Sequence, residues 1–519
     1  MTVELIASLQ NPSLYDHPVE QFQVIETHIS WVVLTGPYAY KIKKPMDFGF
    51  LNFTQLTDRH FYCQEELRLN QRLTKDIYLE VLPITGTTTD PKIGGDGEPI
   101  EYLLKMRQFP QSQLLSQLQS DGKLTAEHID QLSKQIAEFH ISTPIVAADN
   151  ELGSPETVMA PVKQNFEQIR AMLPADKVGY NQLDGLEAWA QSSYERLKPL
   201  LAERKANGFI RECHGDIHLN NAAILDGKVV IFDCIEFNEP FRFTDVTADI
   251  AFLIMDLEDR KLNVFANRLL NNYLEETGDY QSLEIMNFYK AYRAMVRAKV
   301  ALFSLGQTTD AKAKEAILKQ YYNYANLAER YTLLPPRYLL ITNGISAVGK
   351  SYVSSRVIER FGSIRLRSDR ERKRLLGEGV GQEELYSPEA TIATYKRLYQ
   401  LAKECLQAGY GVILDAAYLK ESERTKAKLV AEEVGVPFLI IECQAPLEVI
   451  ENNLFIRMQK GNDPSDATLE VVKNQLQWRE PISGEERSIT VTVEPEKEES
   501  IQHLIEYINH YFSFDRNKY

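Results

Sequence analysis

Two short segments of the chain combine residue types at spacings that suit phosphate chemistry. The first, residues 214–221, reads His-Gly-Asp-Ile-His-Leu-Asn-Asn, and an apolar run ending in Asp233 follows it. At this spacing a loop carboxylate takes the proton of an attacking hydroxyl while a nearby amide holds magnesium. We therefore predict Asp216 as a general base, with Asn221 and Asp233 as magnesium ligands.

The second segment, residues 344–351, reads Gly-Ile-Ser-Ala-Val-Gly-Lys-Ser and follows an apolar run at 338–342. This is a Walker A pattern between a predicted strand and a predicted helix. Its glycines let backbone N–H groups converge on phosphates, while Lys350 reaches the β- and γ-phosphates and Ser351 holds magnesium. The predicted nucleotide-binding residues are Gly344, Ile345, Ser346, Ala347, Val348, Gly349, Lys350 and Ser351.

Two carboxylates follow predicted strands beyond this loop. Asp369 comes just after the strand-like run 363–367, and Asp415 ends the apolar run 411–414. In a doubly wound sheet the carboxyl ends of the strands face the nucleotide crevice. We predict Asp369 as a second general base and Asp415 as a residue that bears on magnesium through water.

Two arginines on later predicted helices are candidates to neutralise the transferring phosphoryl group, namely Arg424 and Arg457. For either arginine taken alone, a surface salt bridge is the competing interpretation. Arg457 precedes the polar segment 461–466, Gly-Asn-Asp-Pro-Ser-Asp, which is typical of a closing lid.

The elements that position the first segment begin with a mixed region. Residues 23–34, 38–43 and 102–109 have strand patterns, and residues 56–73 have helical spacing. Helical patterns then dominate until two prolines at 335 and 336. We expect a small lobe at about 1–115, a helical lobe at about 116–335, and a domain boundary at the prolines.

Beyond that boundary, helical and strand patterns alternate. The predicted helices are 352–361, 388–407 and 421–434, and the predicted strands after the first are 363–367, 411–414 and 438–443. Alternation of this length predicts a parallel sheet with helices on both faces. The fold class is thus an α+β two-lobe domain over 1–335, followed by an α/β P-loop domain with a doubly wound parallel sheet over 336–519.

The first domain resembles the aminoglycoside phosphotransferase and choline kinase group, relatives of the protein kinases, over roughly residues 20–300. The resemblance rests on 214–221, on Asp233, on Ala-Tyr-Lys-Ile-Lys-Lys-Pro at 39–45 and on Glu-Glu-Leu-Arg-Leu-Asn at 65–70. With the fused P-loop, the chain is identified as a member of a bacterial bifunctional family that joins such a domain to an ATP-binding domain. The resemblance implies a protein-kinase-like two-lobe fold.

The same resemblance implies that Lys41 reaches the α- and β-phosphates and that Glu66 pairs with this lysine. Lys43 points to the same side of the strand and competes for the assignment. Glu65 faces elsewhere on the helix, so only one of the two glutamates can serve. Where the group has Asp-Trp-Glu, this chain has Asp-Cys-Ile-Glu, and Glu236 is assigned either to the metal site or to substrate binding.

The second domain resembles P-loop kinases of the gluconate kinase, polynucleotide kinase and zeta-toxin type over about 338–510. The Walker A segment and Asp369 carry this resemblance. Such kinases have an arginine four residues before the one matched by Arg457, and this chain has Asn453 there.

Composition limits the class of protein. The chain has 519 residues, 44 % apolar and 25 % charged, without a run of the ~18 to 20 apolar residues that span a bilayer. Its five cysteines lack CxxC spacing, and its first ten residues lack a secretory pattern, so we expect a cytoplasmic protein. A net charge of −15 disfavours a broad nucleic-acid surface. The run 365–374 is either a local basic patch or a solvated helical face.

Together these patterns predict a bifunctional enzyme that uses ATP and Mg²⁺. Each domain is expected to transfer the γ-phosphoryl group to a hydroxyl of a small molecule, without a covalent intermediate on the enzyme. Two alternatives stay open. One domain regulates the other as a nucleotide sensor, or the second domain acts on a nucleotide or nucleic-acid end. The sequence specifies neither the acceptors nor the oligomeric state.

Overall fold

The computed structural model describes residues 2–47, 51–174, 177–377, 380–460 and 468–512. The chain forms two compact units, the first comprising 1–256 and 288–325, the second 257–287 and 326–519. The segment 257–287 therefore groups with the P-loop region, although the sequence surrounds it with residues of the first unit. The prolines at which the sequence predicts a boundary lie within the stretch of the second unit that begins at 326.

Among the described residues, ten strands precede the P-loop region. They are β1 (Gln23–Glu26), β2 (Ser30–Leu34), β3 (Tyr38–Lys43), β4 (Tyr78–Gly86), β5 (Pro91–Ile93), β6 (Glu101–Arg107), β7 (Ile210–Glu212), β8 (Ala222–Leu225), β9 (Lys228–Ile231) and β10 (Phe243–Asp245). The first six form one antiparallel sheet in the order β1-β2-β3-β6-β4-β5. Two-stranded pairs β7·β10 and β8·β9 complete the strands of this unit.

The predicted single strand over 23–34 is wrong, since the chain turns back on itself within it. The backbone N–H of Thr27 donates to the carbonyl of Ser30 at 2.9 Å, and the Thr27 hydroxyl donates to the same carbonyl at 3.0 Å. This side-chain and backbone pairing closes a tight turn between β1 and β2. The strand predicted at 38–43 coincides with β3.

The helices up to residue 330 are α1 (Thr2–Ser8), α2 (Leu56–Asn70), α3 (Leu115–Ser120), α4 (Ala126–Ser142), α5 (Pro155–Met172), α6 (Lys177–Ala206), α7 (Glu239–Arg242), α8 (Val246–Asp259), α9 (Asn263–Thr277), α10 (Leu283–Phe303) and α11 (Ala311–Arg330). Helix α9 lies in the second unit. A mixed β lobe followed by helices confirms the predicted α+β two-lobe class.

The second unit contains β11 (Leu339–Asn343), β12 (Ile364–Arg367), β13 (Val412–Asp415), β14 (Phe438–Cys443) and β15 (Thr490–Val493). Its later helices are α12 (Lys350–Phe361), α13 (Ser368–Leu376), α14 (Gln382–Leu385), α15 (Pro388–Gln407), α16 (Glu421–Val434), α17 (Leu447–Lys460), α18 (Leu469–Trp478) and α19 (Glu498–Tyr511). All pairs in the sheet β12-β13-β11-β14-β15 are parallel. The predicted α/β P-loop class is confirmed.

The strand order places the predicted chemistry of the second unit at one edge of its sheet. β11 runs into the glycine loop, β12 into Asp369, and β13 ends at Asp415, and these three strands are neighbours. Because parallel strands end at the same edge, these groups converge there. Along the described residues, no helix is both long and apolar enough to cross a membrane.

Candidate active sites

Two lysines of β3 share one buried glutamate in the first unit. Lys41 Nζ donates to Glu66 Oε1 at 2.7 Å and to Asp233 Oδ1 at 3.2 Å. Lys43 Nζ donates to Glu66 Oε2 at 2.6 Å and also contacts the carboxylate of Glu236. Both lysines reach the same glutamate because alternate residues of a strand point to one side. Glu66 therefore pairs with both candidate lysines.

Burial distinguishes the two lysines. The side chain of Lys43 is 2 % exposed, while that of Lys41 is 15 % exposed and its partner Asp233 is 47 % exposed. Burial raises the pKa of Glu66, but the two lysine charges outweigh it and hold that pKa well below the ordinary value. Glu66 is thus ionised at neutral pH and anchors both ammonium groups, and only Lys41 lies beside an opening to solvent.

Glu65, the neighbour of Glu66 on α2, makes different contacts. Glu65 accepts a bidentate contact from Arg68, at 2.9 and 2.8 Å, on the outer side of the helix. Successive helix residues point about 100° apart, so Glu65 and Glu66 face different surroundings. The sequence argument that only one of them can meet the strand lysine agrees with this geometry.

The loop after β7 is held by two carboxylates of α8. Asp249 accepts the backbone N–H of His214 at 2.9 Å and that of Gly215 at 2.8 Å. Two helical turns later, Asp256 accepts the N–H of Leu219 at 3.0 Å. Three backbone donors of one loop are therefore fixed by a single helix, which restricts where the loop presents its side chains.

The ring of His214 braces the same loop. Its Nδ1 accepts the backbone N–H of Asp216 at 3.2 Å, and its Nε2 lies 2.9 Å from the carbonyl of Phe232. These contacts require the proton on Nε2. Burial lowers the pKa of His214, so the ring is neutral at neutral pH.

Asp216 lies beside a histidine and an asparagine of its own loop. Its Oδ2 is 3.4 Å from His218 Nε2, and it accepts a hydrogen bond from Asn221 Nδ2 at 3.3 Å. Burial raises the pKa of Asp216, but the nearby His218 outweighs it, with help from His214 and Arg293, and the net pKa is lowered. An ionised carboxylate that is 34 % exposed suits a proton acceptor.

Oxygen ligands for magnesium are available beside this base. Within the described residues, the amide oxygen of Asn221 accepts no hydrogen bond, and Asp233 has its carboxylate half exposed next to Lys41. Asp233 also has a positive φ of 66°, which is rare outside glycine and typical of functional sites. Amide and carboxylate oxygens are the ligands that Mg²⁺ takes, so the set fits that ion.

The glycine loop of the second unit has the backbone of a phosphate cradle. Gly349 has φ of 104°, and a Cβ there would come within 2.6 Å of a proline ring carbon. The backbone N–H of Ser346 donates to Gln475 Oε1 at 2.7 Å, and Lys350 Nζ donates to the carbonyl of Ile345 at 2.8 Å. An amide oxygen thus satisfies a loop N–H of the kind that a phosphate oxygen accepts.

A cavity of about 330 Å³ opens beside this loop, within the size range of small-ligand sites. It brings together residues from the glycine loop, from the ends of β12 and β13, and from later helices. Its lining includes the predicted residues Lys350, Ser351, Asp369, Asp415 and Arg457.

In the cavity, Arg367 lies between the two predicted magnesium ligands, Ser351 and Asp415. Arg367 Nη2 lies 3.4 Å from the hydroxyl of Ser351, and its Nε lies 3.8 Å from Asp415 Oδ2. Asp415 also accepts a hydrogen bond from Ser354 at 3.0 Å. The hydroxyl and the carboxylate both fit as magnesium ligands, Asp415 directly or through water. Arg367 supplies positive charge at the same place.

Asp369 lies at the start of α13 with an arginine one turn later. Burial raises the pKa of Asp369 above its ordinary value, while Arg372 opposes this from 3.5 Å. The Arg372 guanidinium lies 4.7 Å from the centre of the Tyr386 ring, and its buried Nε has no hydrogen-bond partner among the described residues. Arg372 lines the cavity beside the predicted base.

Helix α9 supports these arginines from within the second unit. Glu275, only 4 % exposed, accepts a hydrogen bond from Arg365 Nε at 2.6 Å and lies 3.7 Å from Arg367 Nη1. Asn271 bonds the backbone at the start of β12, accepting the N–H of Arg365 at 2.7 Å and donating to the carbonyl of Ser363 at 3.0 Å. A segment remote in sequence thus fixes both the strand and its cationic side chains.

The basic run 365–374 is largely paired with acidic residues. Besides Arg365, Arg370 bonds Glu276 at 2.9 Å, and Arg374 contacts Glu371. Arg365 and Arg372 are buried, so a solvated helical face does not describe the whole run. Arg365 and Arg370 take their acidic partners from α9, 90 and 94 positions away, which no local pattern could reveal.

The two predicted phosphoryl-binding arginines differ in their surroundings. Arg457 lines the cavity, and the nearby Asn453 donates to the carbonyl of Ala347 in the glycine loop at 2.9 Å. Arg424 is 1 % exposed and bonds Glu486 at 2.7 and 2.9 Å. Its guanidinium also donates to three backbone carbonyls. Arg424 is thus committed to structure, and we leave it out of the site. The segment 461–466 lies outside the described residues.

Several residues of the sites carried no recognisable sequence signal. Gln475 and Glu275 come from helices far along the chain, and Arg372 sits within a run of basic residues that hides it. Arg367 ends a predicted strand two residues before Asp369, and this position is the one sequence feature that points to it.

Comparison with known proteins adds the following. Residues 339–482 match the family described as AAA domain. An uncharacterized protein of Mycobacterium tuberculosis and one of Mycobacterium bovis are each 29 % identical over 466 residues, 88 % of this chain and 90 % of each relative. An adenylyl-sulfate kinase of Myxococcus xanthus is 29 % identical over 116 residues, 22 % of this chain and 60 % of that protein.

Among solved structures, a choline/ethanolamine kinase family protein from Mesorhizobium loti is 12 % identical, with a TM-score of 0.40. The match covers 63 % of this chain and 96 % of that one. The chain is a kinase with a P-loop nucleotide-binding domain. Its C-terminal part carries the P-loop domain that the family match delimits.

Proposed function

We propose that the chain is a bifunctional ATP-dependent phosphotransferase. Each unit moves the γ-phosphoryl group of ATP to a hydroxyl group of a small molecule. One observation carries this proposal: each unit has its own candidate base, Asp216 or Asp369, together with its own lysine and its own oxygen ligands for magnesium. A regulatory domain that only senses nucleotide needs no base.

In the first unit, Lys41 holds the α- and β-phosphates, and Glu66 orients that lysine. Asn221 and Asp233 hold Mg²⁺, which neutralises charge on the phosphates when bound. Asp216 accepts the proton of the acceptor hydroxyl as its oxygen attacks the γ-phosphorus and the bond to ADP breaks. Lys43 and Glu236 are assigned a structural role, because both are buried and paired with each other.

In the second unit, the loop amides and Lys350 hold the phosphates, with Ser351 and Asp415 placed for Mg²⁺. Asp369 accepts the proton of the acceptor hydroxyl. Its raised pKa makes it a stronger base than an ordinary aspartate. Arg367 and Arg457 offset the charge on the phosphoryl group during transfer. Arg372 lies beside Asp369 and lines the same cavity, so we assign it to the acceptor.

The test uses the full chain with Asp216→Asn, Asp369→Asn and the double variant, each supplied with ATP, Mg²⁺ and a panel of hydroxyl compounds. Asparagine keeps the shape of the side chain and removes the base. We expect each single variant to lose the activity of one unit by at least about 100-fold and to keep the other. Asp226→Asn is the matched control, because Asp226 is an exposed aspartate of the first unit paired with Arg107.

Three results would decide against the proposal or for one of its alternatives. Undiminished ADP formation in the double variant would place the chemistry elsewhere. Tight ATP binding by the unmodified chain, without transfer to any acceptor, would instead support a nucleotide-dependent switch. Transfer only to nucleotide ends, lost in Asp369→Asn, would support the nucleic-acid alternative for the second unit.

A further inference from the structure

Residues 232–235, named here the metal loop, follow β9 and include a proposed magnesium ligand of the first unit. The loop after β7 holds both ends of this segment. The backbone N–H of Phe232 donates to the carbonyl of Asn221 at 3.0 Å, and that of Ile235 donates to the carbonyl of His214 at 3.0 Å. Backbone groups therefore fix the two ends of the metal loop.

Two buried side chains of the small lobe hold the middle of the metal loop. The backbone N–H of Asp233 donates to the hydroxyl of Tyr78 at 3.1 Å. The backbone N–H of Cys234 donates to Asn70 Oδ1 at 3.0 Å. Tyr78 is 2 % exposed, and both Asn70 and Cys234 are buried. Loss of the Asn70 oxygen would leave a buried N–H group unsatisfied, which costs more than an average hydrogen bond contributes.

These two hydrogen bonds act on the backbone angles of the metal ligand. Asp233 has a φ of 66°, in the left-handed region that a residue other than glycine keeps only where its surroundings impose it. The N–H groups of Asp233 and Cys234 belong to the two peptide groups that flank the Asp233 Cα. Because Tyr78 and Asn70 each hold one of these peptide groups, together they determine where the Asp233 carboxylate points.

An irregularity in β4 turns Tyr78 towards the metal loop. Tyr78 pairs with Met106 of β6, and Glu80, two residues later, pairs with the adjacent Lys105, so β4 contains one extra residue at this point. Residues two apart on a regular strand point to the same face, and a bulge breaks that alternation. Glu80 lies 3.3 Å from Lys105 and is half exposed, whereas Tyr78 is turned to the buried face.

Helix α2 supports both side chains. Asn70 Nδ2 donates to the carbonyl of Glu66, one turn earlier, at 2.8 Å. The adjacent Gln71 donates from its side chain to the carbonyl of Tyr78 at 2.9 Å. Since Glu66 also binds Lys41, this helix orients the predicted nucleotide lysine and the metal loop together.

The C-terminal end of α2 is itself anchored next to the loop after β7. Arg72 donates to the carbonyl of Glu212 at 2.7 Å and to that of Cys213 at 3.3 Å. Arg68 bonds the Glu212 carboxylate at 2.7 Å. Asn70 lies between these two arginines, so its position relative to the metal loop is fixed.

We propose that Tyr78 and Asn70 are positioning residues for Mg²⁺ in the first unit. They hold the two peptide groups that flank Asp233 and thereby aim its carboxylate at the metal. Both act through Asp233 and not on the substrate. This inference rests on the proposed function, in which Asp233 is a magnesium ligand.

The test measures how strongly Mg²⁺ improves nucleotide binding, because a metal-positioning residue acts on this gain and not on the nucleotide alone. Calorimetry gives the Kd for the nonhydrolysable analogue β,γ-imido-ATP, once with EDTA and once with saturating Mg²⁺. The ratio of the two Kd values is the magnesium gain. The full chain carries Gly349→Ala and Lys350→Met, so that the second unit does not bind the analogue.

We expect Tyr78→Phe and Asn70→Leu each to keep the Kd measured with EDTA within twofold of the parent. Each should reduce the magnesium gain about fivefold or more, as expected for a lost hydrogen bond. Tyr180→Phe and Asn165→Leu are the matched controls and should leave the gain within twofold. The Tyr180 hydroxyl bonds backbone carbonyls of the same unit, and Asn165 is a buried asparagine of α5.

Asp233→Ala separates this inference from the proposed function. If the parent shows no magnesium gain, or if the gain survives in Asp233→Ala, Asp233 is not a metal ligand, and both the inference and that part of the proposed function fail. If Asp233→Ala loses the gain while Tyr78→Phe and Asn70→Leu retain it, the inference alone fails.

A structural role gives a different result. Equal weakening of the Kd with EDTA and of the Kd with Mg²⁺ in Tyr78→Phe and Asn70→Leu would overturn the inference. Tyr78→Phe removes a single oxygen atom, so this variant decides the question if Asn70→Leu does not fold.

Discussion

The two lysines of β3 offer a sharp test, because their burial predicts opposite consequences for stability and activity. Lys43 is 2 % exposed and neutralises both Glu66 and Glu236. In Lys43→Met, Lys41 still serves Glu66, but Glu236 is left buried without a cation. Breaking a buried pair in this way costs about 3 to 5 kcal/mol in the free energy of unfolding.

In Lys41→Met, both carboxylates that Lys41 contacts stay stabilised. Glu66 keeps its contact with Lys43, and the other partner, Asp233, is 47 % exposed and can be solvated. We therefore expect the free energy of unfolding to fall by only about 1 kcal/mol. Phosphotransfer by the first unit should fall at least 100-fold, because the lysine that meets the nucleotide is gone.

The assay is urea unfolding followed by fluorescence of Trp31, which lies on β2 beside β3, with Trp189 and Trp478 replaced by phenylalanine. Activity is measured in the Asp369→Asn background, so that the first unit alone contributes. The reasoning is refuted if Lys43→Met unfolds at the same urea concentration as the parent and Lys41→Met retains full transfer. Lys134→Met, on the exposed face of α4, is the control for both measurements.

Three further outcomes concern the second unit, each measured in the Asp216→Asn background. Burial raises the pKa of Asp369, so the rate should fall on the acid side at a pH above the ordinary aspartate range, and Arg372→Gln should shift this limb further upward. A limb near pH 4 in both proteins would contradict this. Glu275→Gln should weaken transfer about tenfold by freeing Arg367, with Glu275→Asp partly restoring it; equal loss of folding and activity in both variants would indicate a purely structural role. Gly349→Ala should abolish ATP binding to the second unit, because φ is 104° and the added carbon meets a proline ring; unchanged calorimetric stoichiometry for ATP would refute it.

The sequence specified the second site better than the first, for a physical reason. A Walker A loop is contiguous, and its glycines, lysine and serine bind phosphate through their own backbone. Asp369 and Asp415 could be added because the ends of parallel strands meet at one edge. The order β12-β13-β11 provides that arrangement.

The first site depended on long-range packing that residue spacing does not encode. Lys41 and Lys43 point to the same side of β3, so the sequence left both possible, and burial separates them. The turn between β1 and β2 was missed because Thr27 closes it with its side chain rather than with glycine or proline. The sequence patterns predict neither β4 nor β5.

Contacts between distant segments account for the remaining differences. Arg424 has the sequence position of a lid arginine, yet Glu486 and three carbonyls enclose it. Glu275 belongs by sequence to the helical region of the first domain, but it packs against Arg365 in the second unit. No local periodicity reports such partners.

The most direct test of two independent phosphotransfer sites is to identify products by mass spectrometry. The full chain, Asp216→Asn and Asp369→Asn are each incubated with ATP, Mg²⁺ and one mixed pool of neutral, cationic and anionic hydroxyl compounds. We predict two distinct phosphorylated products from the full chain, with each variant losing a different one. A single product, or two products that disappear together in either variant, would contradict the account.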